Sequence, residues 1–225
     1  MPVLLHAIAT SEAAAVPPTG LRGQPLVVVG HADVSAYATC FDVPAEDFGR
    51  ADLLEHHDIV SALSKQVDSL LPARFVTWIA DRAALRAELE RRHAELVAAL
   101  ERVRGRAEIA LTAIWTAAPE ADAAPLEVTT PGRRYLLERQ HAFGSTDRRR
   151  ARARELADQI ERVVGEDLVD VQHQVCPSVT VGLSSALLVP RQHATRIAAR
   201  LARTEHDVRI LVNGPWPPYT FANVV

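Results

Sequence analysis

The chain has few cysteines, methionines, lysines and aromatics. Its 225 residues include two cysteines, one methionine, three tryptophans, three tyrosines and five phenylalanines, and Lys65 is the only lysine. Cys40 and Cys176 stand alone in strand-like runs, outside any Cys-x-x-Cys pattern. That excludes a disulfide framework or a cysteine metal site, and each reads as a small buried hydrophobe. Charge of one sign is also lacking: a formal net charge of −3 gives no global pull toward nucleic acid or anionic lipid. No apolar run approaches the roughly 18 residues that span a bilayer, so no membrane partner is expected. Met1 to His6 carries no basic n-region, and His6, Ser11 and Glu12 interrupt the apolar stretch. A signal peptide is therefore not expected, and the chain is assigned to the cytoplasm. No Gly-x-Gly-x-x-Gly or phosphate loop occurs, so nucleotide binding is not indicated and no cofactor is expected.

What is present is apolar residue in quantity, 48% of the chain, enough to fill real cores. Val3 to Ile8, Leu26 to Gly30 and Ser35 to Phe41 read as strands. Leu53, His56, Val60, Leu63, Val67 and Leu70 alternate steps of three and four, which predicts one helical apolar stripe ended by Pro72. Arg74 to Ile79 is a strand, and Asp81 is placed to cap a helix whose C′ residue is Gly105. Ile109 to Trp115 closes this half as a strand. The Ala- and Pro-rich stretch after it reads as the linker, giving an N-terminal α+β domain over 1–117, a linker over 118–130 and a C-terminal domain over 131–225. The C-terminal part begins with a long charged helix from Pro131 to Gly165, in which Phe143-Gly144-Ser145 is the candidate break. Strands Asp170 to Val175 and Ser184 to Val189, a helix Arg191 to Arg203 and a strand Val208 to Val212 follow. The order resembles a ferredoxin-like α/β sandwich missing or replacing its first strand. No internal repeat stands out.

Few groups suggest chemistry. Adjacent His56 and His57 point about a third of a turn apart on a helix, so they cannot share a metal, and both are expected to bond to backbone or carboxylate. Gly182-Leu183-Ser184-Ser185-Ala186 has the outline of a nucleophile elbow, but a strand follows the serine where that motif needs a helix. The arginine block from Arg148 to Arg154 spreads around a helix and is expected to pair with Glu155, Asp158 and Glu161 or with an acidic partner. Arg74 and Phe75 face opposite sides of a strand, with Phe75 entering the core. No catalytic or metal residue is assigned, and an enzyme is disfavoured.

The end of the chain is the most informative part. Gly214, Pro215, Trp216, Pro217, Pro218, Tyr219, Thr220 and Phe221 combine three prolines that fix φ with three aromatics. Each large aromatic left in water forgoes roughly 1.5 to 3 kcal/mol of burial, so the tail is expected to fold back onto the body. This ending resembles that of the gas vesicle protein F/L family. Leu54 to Val60 is similar to that family's histidine-containing helix, Leu71 to Thr77 to its Leu-Pro-x-Arg-Phe-Gly-Thr stretch, and Ala186 to Pro190 to its penultimate strand. The residues that carry the resemblance, and that it marks as structural, are His57, Pro72, Pro190, Gly214, Pro215, Trp216, Pro217, Pro218, Tyr219 and Phe221. Val76 departs from the pattern, standing where the family has Gly, and a left-handed backbone is accordingly not expected there.

The resemblance implies an accessory protein of gas vesicle assembly, associated with the vesicles. It would bind the small, very hydrophobic major shell protein, with other gas vesicle accessory proteins as further partners. The docking side is expected to be the N-terminal half, through Val27, Val28, Val29, Arg74, Phe75 and Thr77. The rival reading is a regulatory ferredoxin-like module that binds a small ligand or nucleic acid. Nucleic acid is the less expected partner on the mild acidity of the chain.

Overall fold

The computed structural model describes residues 1–10, 19–115, 131–176, 178, 180–203 and 208–222, with side chains in the helix starting at Pro131 described from 146 onward. The fold is α+β. In chain order the elements are β1 (Val3–Thr10), β2 (Leu26–His31), β3 (Val34–Cys40), α1 (Arg50–Ser64), β4 (Leu70–Ile79), α2 (Arg82–Arg91), α3 (His93–Val103) and β5 (Arg106–Trp115). They continue as α4 (Pro131–Val164), β6 (Asp170–Val175), β7 (Val181–Pro190), α5 (Arg191–Arg203) and β8 (Val208–Trp216). The chain forms two compact units, one of Met1–Glu108 with Trp216–Val225, the other of Ile109–Pro215.

Unit 1 holds the antiparallel sheet β2-β3-β1-β4. On one face Ile59, Val60 and Leu63 of α1 meet Ala7, Ala9 and Tyr37, joined by Val67 and Leu70. The period of two puts Val27 and Val29 on the other face, where both are buried and α2 packs on β2. Asp81 caps α2 through a 2.8 Å bond from the Ala84 N–H, and Gly105 takes a φ of 64° after α3, as the sequence predicts. Three local expectations need correction. The apolar stripe through Leu70 is not one helix: α1 stops at Ser64, Val67 lies beyond the turn that follows, and Leu70 opens β4 with Pro72 inside that edge strand. Leu53, assigned to the stripe, is 47% exposed. The helix after Asp81 is broken at Arg92, whose φ of −107° and ψ of 13° divide α2 from α3.

β1 and β4 fall out of register around His6. Leu5 pairs with Thr77 but Ala7 pairs with Pro72, so Ala73 to Val76 oppose His6 alone. β1 is also bulged against β3 at the same place. A bulge re-aims side chains, and this one turns His6 inward and puts Val76 at φ 69°. The left-handed backbone is thus present at Val76 without the glycine, contrary to the sequence reading.

Unit 2 is the ferredoxin-like sandwich, an antiparallel sheet ordered β6-β7-β5-β8 with α4 and α5 packed on β7. Its first strand is β5, which sequence order assigned to the first half. The division between units accordingly falls after Glu108, where a boundary after 117 was expected; the expected linker over 118–130 lies outside the described residues. α4 runs unbroken past 143–145 and buries Ala153, Leu156, Ala157, Ile160 and Val164. The Trp115 ring lies against Gly182, where a Cβ would overlap the indole. In both sheets the strands, numbered within their own unit, run in the order 2-3-1-4, a repetition of topology that leaves no repeat in the sequence.

Candidate functional site

Three polar constellations lie inside the units. The first spans unit 1. His6 and His56 are 0% and 1% exposed, and their Nδ1 atoms lie 2.8 Å apart. His56 Nε2 faces the Ala73 carbonyl at 3.3 Å, and His6 Nε2 faces Thr39 Oγ1 at 2.6 Å. Because a carbonyl only accepts, His56 Nε2 carries the proton, and the directions of the remaining bonds follow. His6 Nδ1–H donates to His56 Nδ1, Thr39 Oγ1–H donates to His6 Nε2, and the Leu21 N–H donates to Thr39 Oγ1 at 2.9 Å. Every member is satisfied with both rings neutral. Burial holds His6 down to about 3, aided by His56, and burial holds His56 down to about 4. The chain of bonds ties the segment at Leu21 to β3, β1, α1 and the β4 bulge.

The second constellation holds the tail, which folds back as expected but belongs to unit 1, whereas the sequence reading includes it in the C-terminal domain over 131–225. Phe221 and Ala222 are buried, and Tyr219 packs against the α1 cluster. His57 meets the Trp216 ring edge-on at 4.9 Å and stacks with Tyr219 at 6.1 Å. Its Nδ1 lies 3.5 Å from the Tyr219 hydroxyl. Glu108, only 6% exposed, accepts the Thr220 N–H at 2.7 Å and the Thr220 hydroxyl at 2.8 Å. Burial pushes its carboxyl above the ordinary range, against these two bonds. Tyr219 is raised by burial and then by the charge of Glu108.

The third looks most like chemistry. His173 Nδ1 lies 2.7 Å from Ser185 Oγ, and its Nε2 lies 3.0 Å from Glu161 of α4. A serine, histidine and carboxylate in line have the connectivity of a hydrolase triad. Ser185, however, is 5% exposed and pairs directly across the sheet with His173, so its Oγ has no path to a substrate. This set anchors α4 to β6 and β7. Among the described residues no group of three His, Cys, Asp or Glu side chains is placed to hold a metal.

The residues chosen from sequence are distributed unevenly. Val28 is 46% exposed on the edge strand β2, and its backbone N–H and C=O face the open edge, whereas Val27 and Val29 are buried and their backbone groups face β3. Phe75 sits in an aromatic cluster with Phe48, while Arg74 is exposed and its carbonyl accepts the Thr77 hydroxyl at 2.8 Å. The bulge carries this stretch away from straight alternation. His57, Trp216, Tyr219 and Phe221 come together in unit 1; Pro72 lies in β4, Pro190 ends β7, and Gly214 has a φ of 115°. Cys40 is buried as expected, but Cys176 is partly exposed just after β6. In the arginine block Arg150 pairs with Asp147 at 3.4 Å and Arg152 lies over the Trp115 ring, while Glu161, expected to pair with an arginine, is taken by His173. His6, Thr39 and Glu108 were missed. A histidine and a glutamate alternating with apolar residues inside strands were the available signal.

Comparison with known proteins decides the family. The model of the gas vesicle synthesis protein GvpL/GvpF family matches residues 3–223. The chain belongs to that family. It is 33% identical to gas vesicle protein L of Streptomyces sp. (strain CB03234), over 91% of this chain and 86% of the relative. It is 27% identical to gas vesicle protein L1 of Halobacterium salinarum, over 95% of this chain and 86% of that protein. The crystal structure of GvpF from Anabaena sp. PCC7120 superposes with a TM-score of 0.79 at 16% identity, covering 98% of this chain and 95% of that one. GvpF from Microcystis aeruginosa gives 0.75 at 15% identity, covering 98% of both chains. These two establish the fold, and the family supports a role in gas vesicle assembly. The GvpL/GvpF family is described by gas vesicle synthesis and not by a catalysed reaction. No helix among the described residues is long and apolar enough to cross a membrane.

Proposed function

We propose that this member of the GvpL/GvpF family is cytoplasmic and associated with gas vesicles, binds the hydrophobic major shell protein, and assists nucleation or wall formation. A shell subunit awaiting assembly must hold apolar strand and helix surface out of water, and an open sheet edge is a direct way to cap it. The observation that carries this reading is β2. It pairs with β3 without a register shift, no described strand lies on its outer side, and Val28 stands exposed on it. The opposite edge, β4, is broken by its bulge and is a poor template. A main-chain ladder along Leu26 to Gly30 would supply affinity, and Val28 would supply an apolar contact. Arg74, Phe75 and Thr77 lie on the other edge strand and belong to the same proposed docking unit.

Co-expression with the cognate shell protein and affinity capture tests this. Val28→Pro removes a backbone donor on an edge strand and should reduce capture at least tenfold while thermal unfolding changes little. Undiminished capture by that variant would refute docking through β2. The ferredoxin-like regulatory alternative has one observation in its favour, an open cleft of about 470 Å³ on α5 lined by Arg196, Arg200 and Arg203. Arg196 is already paired with Asp167 and Arg200 with the Val164 carbonyl, so the shell-protein reading is preferred.

A further inference from the structure

α5 carries four arginines and no carboxylate, in a chain whose formal net charge is −3. Ala194, Ile197 and Leu201 turn its apolar side inward, which leaves Arg196, Arg200 and Arg203 outward. These three stand at i, i+4 and i+7, a row about 10 Å long on one side of the helix. With Ala199 they line the open cleft of about 470 Å³. Two of them are held from behind. Arg196 donates to Asp167 at 3.0 Å while its side chain stays 66% exposed, and Arg200 donates to the Val164 carbonyl at 3.0 Å. Each of these bonds takes one of the five N–H donors of a guanidinium. Both fix the side chain in place, so less rotamer freedom is lost when a further acceptor arrives. A small anion must compete with Asp167 or Val164 at a single arginine, whereas a row of carboxylates on one backbone engages all three together.

We infer that the α5 face docks an acidic helix of a partner polypeptide, with Asp or Glu side chains at i, i+4 and i+7 set against Arg196, Arg200 and Arg203. Charge complementarity gives the sign of the occupant, and spacing gives its form. A row with the helical repeat is matched residue for residue by another helix laid alongside, as opposite charges pair across the flanks of a coiled coil. An extended strand presents same-side groups about 7 Å apart and falls out of step with the row. Ala199 leaves room between the arginines for the partner to approach. Nucleic acid fits less well. The residues lining the cleft include no aromatic side chain on which a base could stack, and the short row meets only a small part of a phosphate backbone whose remainder faces a chain of net negative charge. This face belongs to unit 2 and the β2 edge to unit 1, so the inference stands apart from shell-protein docking.

The full chain and a fluorescent, alanine-rich peptide test this. The peptide, about 20 residues long so that it holds a helix by itself, carries glutamates at i, i+4 and i+7 and is titrated with the protein by anisotropy at low ionic strength. It should bind at least tenfold more tightly than the same peptide with glutamine in their place, and at least threefold more tightly than one with the three glutamates spread around the helix. These peptide changes leave the protein untouched, so folding cannot confuse the result. In the protein, Arg203→Gln lies at the exposed end of α5 and should weaken binding at least threefold with an unchanged unfolding midpoint. Arg203→Glu should be rescued by a peptide with lysine at one end of the glutamate row. Glutamate and glutamine peptides binding alike, indifference to glutamate placement, or indifference to Arg203→Gln would each overturn the acidic-helix partner. A single-stranded oligonucleotide of equal charge binding more tightly than the glutamate peptide would overturn it too, and would make the face a nucleic-acid site. None of these outcomes depends on whether β2 binds the shell protein.

Discussion

His6 and His56 face each other through their Nδ1 atoms at 2.8 Å, and that contact holds one proton, not two. A second proton would set two N–H groups against each other inside unit 1, in a place where both rings are buried. Their folded-state values, about 3 and about 4, lie below the ordinary histidine range. As pH falls, the unfolded chain therefore takes up protons first, so stability is full above about 6.5 and is lost progressively below it. Two such groups predict a loss of about 2 to 3 kcal/mol between about pH 7.5 and about pH 5.5. Chemical unfolding at the two pH values measures this. A His56→Gln variant should be less stable at neutral pH yet show roughly half the pH dependence. An unchanged pH dependence in that variant would remove the pair as its source.

Glu108 is linked to pH in the opposite sense. Its folded-state pKa is raised by burial, so its protonated form is favoured in the fold and its contribution is fully present below the unfolded carboxylate value. That contribution is lost as pH rises through the raised value. Thr220→Val deletes one of the two donors to the buried Glu108 carboxyl and should cost about 1 to 3 kcal/mol. The loss should appear first as tail release, since Thr220 bonds to Glu108 while Trp216 and Tyr219 rest on His57. Protease sensitivity of the last ten residues, rising before global unfolding, is the expected signature; simultaneous loss of tail and body would argue against a separable tail.

Local pattern made much of this architecture readable, and non-local pairing hid the rest. Apolar and β-branched runs bounded by turn residues placed β1, β2, β3, β6 and β7, a side-chain cap placed the start of α2, and Gly105 marked the end of α3. The aromatic and proline content of the tail was enough to say that it folds back. Three features misled for physical reasons. Val67 and Leu70 continue the helical spacing of Val60 and Leu63 because all four point into one cluster, though only the first pair is helical. β5 follows unit 1 in sequence yet lies between β7 and β8, and strand order of this kind is invisible to a window of a dozen residues. The partners of His6 stand 33 and 50 residues away, so the residue looks like an interruption in an apolar strand when it is the polar centre of unit 1.

Val76 is strained and should be improvable. A β-branched residue at φ 69° sits in a region that costs a non-glycine residue of order 1 to 3 kcal/mol. Its side chain is 41% exposed, so little burial is lost on removing it. Val76→Gly should raise the unfolding free energy by about 0.5 to 1.5 kcal/mol after the extra entropy of glycine in the unfolded chain is subtracted. Thermal denaturation gives the sign directly. A decrease would mean that the Val76 side chain makes a contact worth more than its backbone strain.

Gly182 is irreplaceable for a different reason. Its backbone is not left-handed; the constraint is Trp115, whose Cζ2, Cε2 and Cη2 occupy the space of a Cβ. Gly182→Ala must therefore displace an indole from the sheet of unit 2, where Arg152 lies over the same ring at 5.7 Å. Overpacking of this kind costs about 1 to 3 kcal/mol, because either the indole must leave its place or the backbone of β7 must shift. Trp115→Ala in the same chain opens that space, so the double variant should recover part of what Gly182→Ala loses. A cycle of the four proteins by chemical unfolding should give a coupling of about 1 to 2 kcal/mol, and simple additivity would show that the two residues do not compete for the same volume.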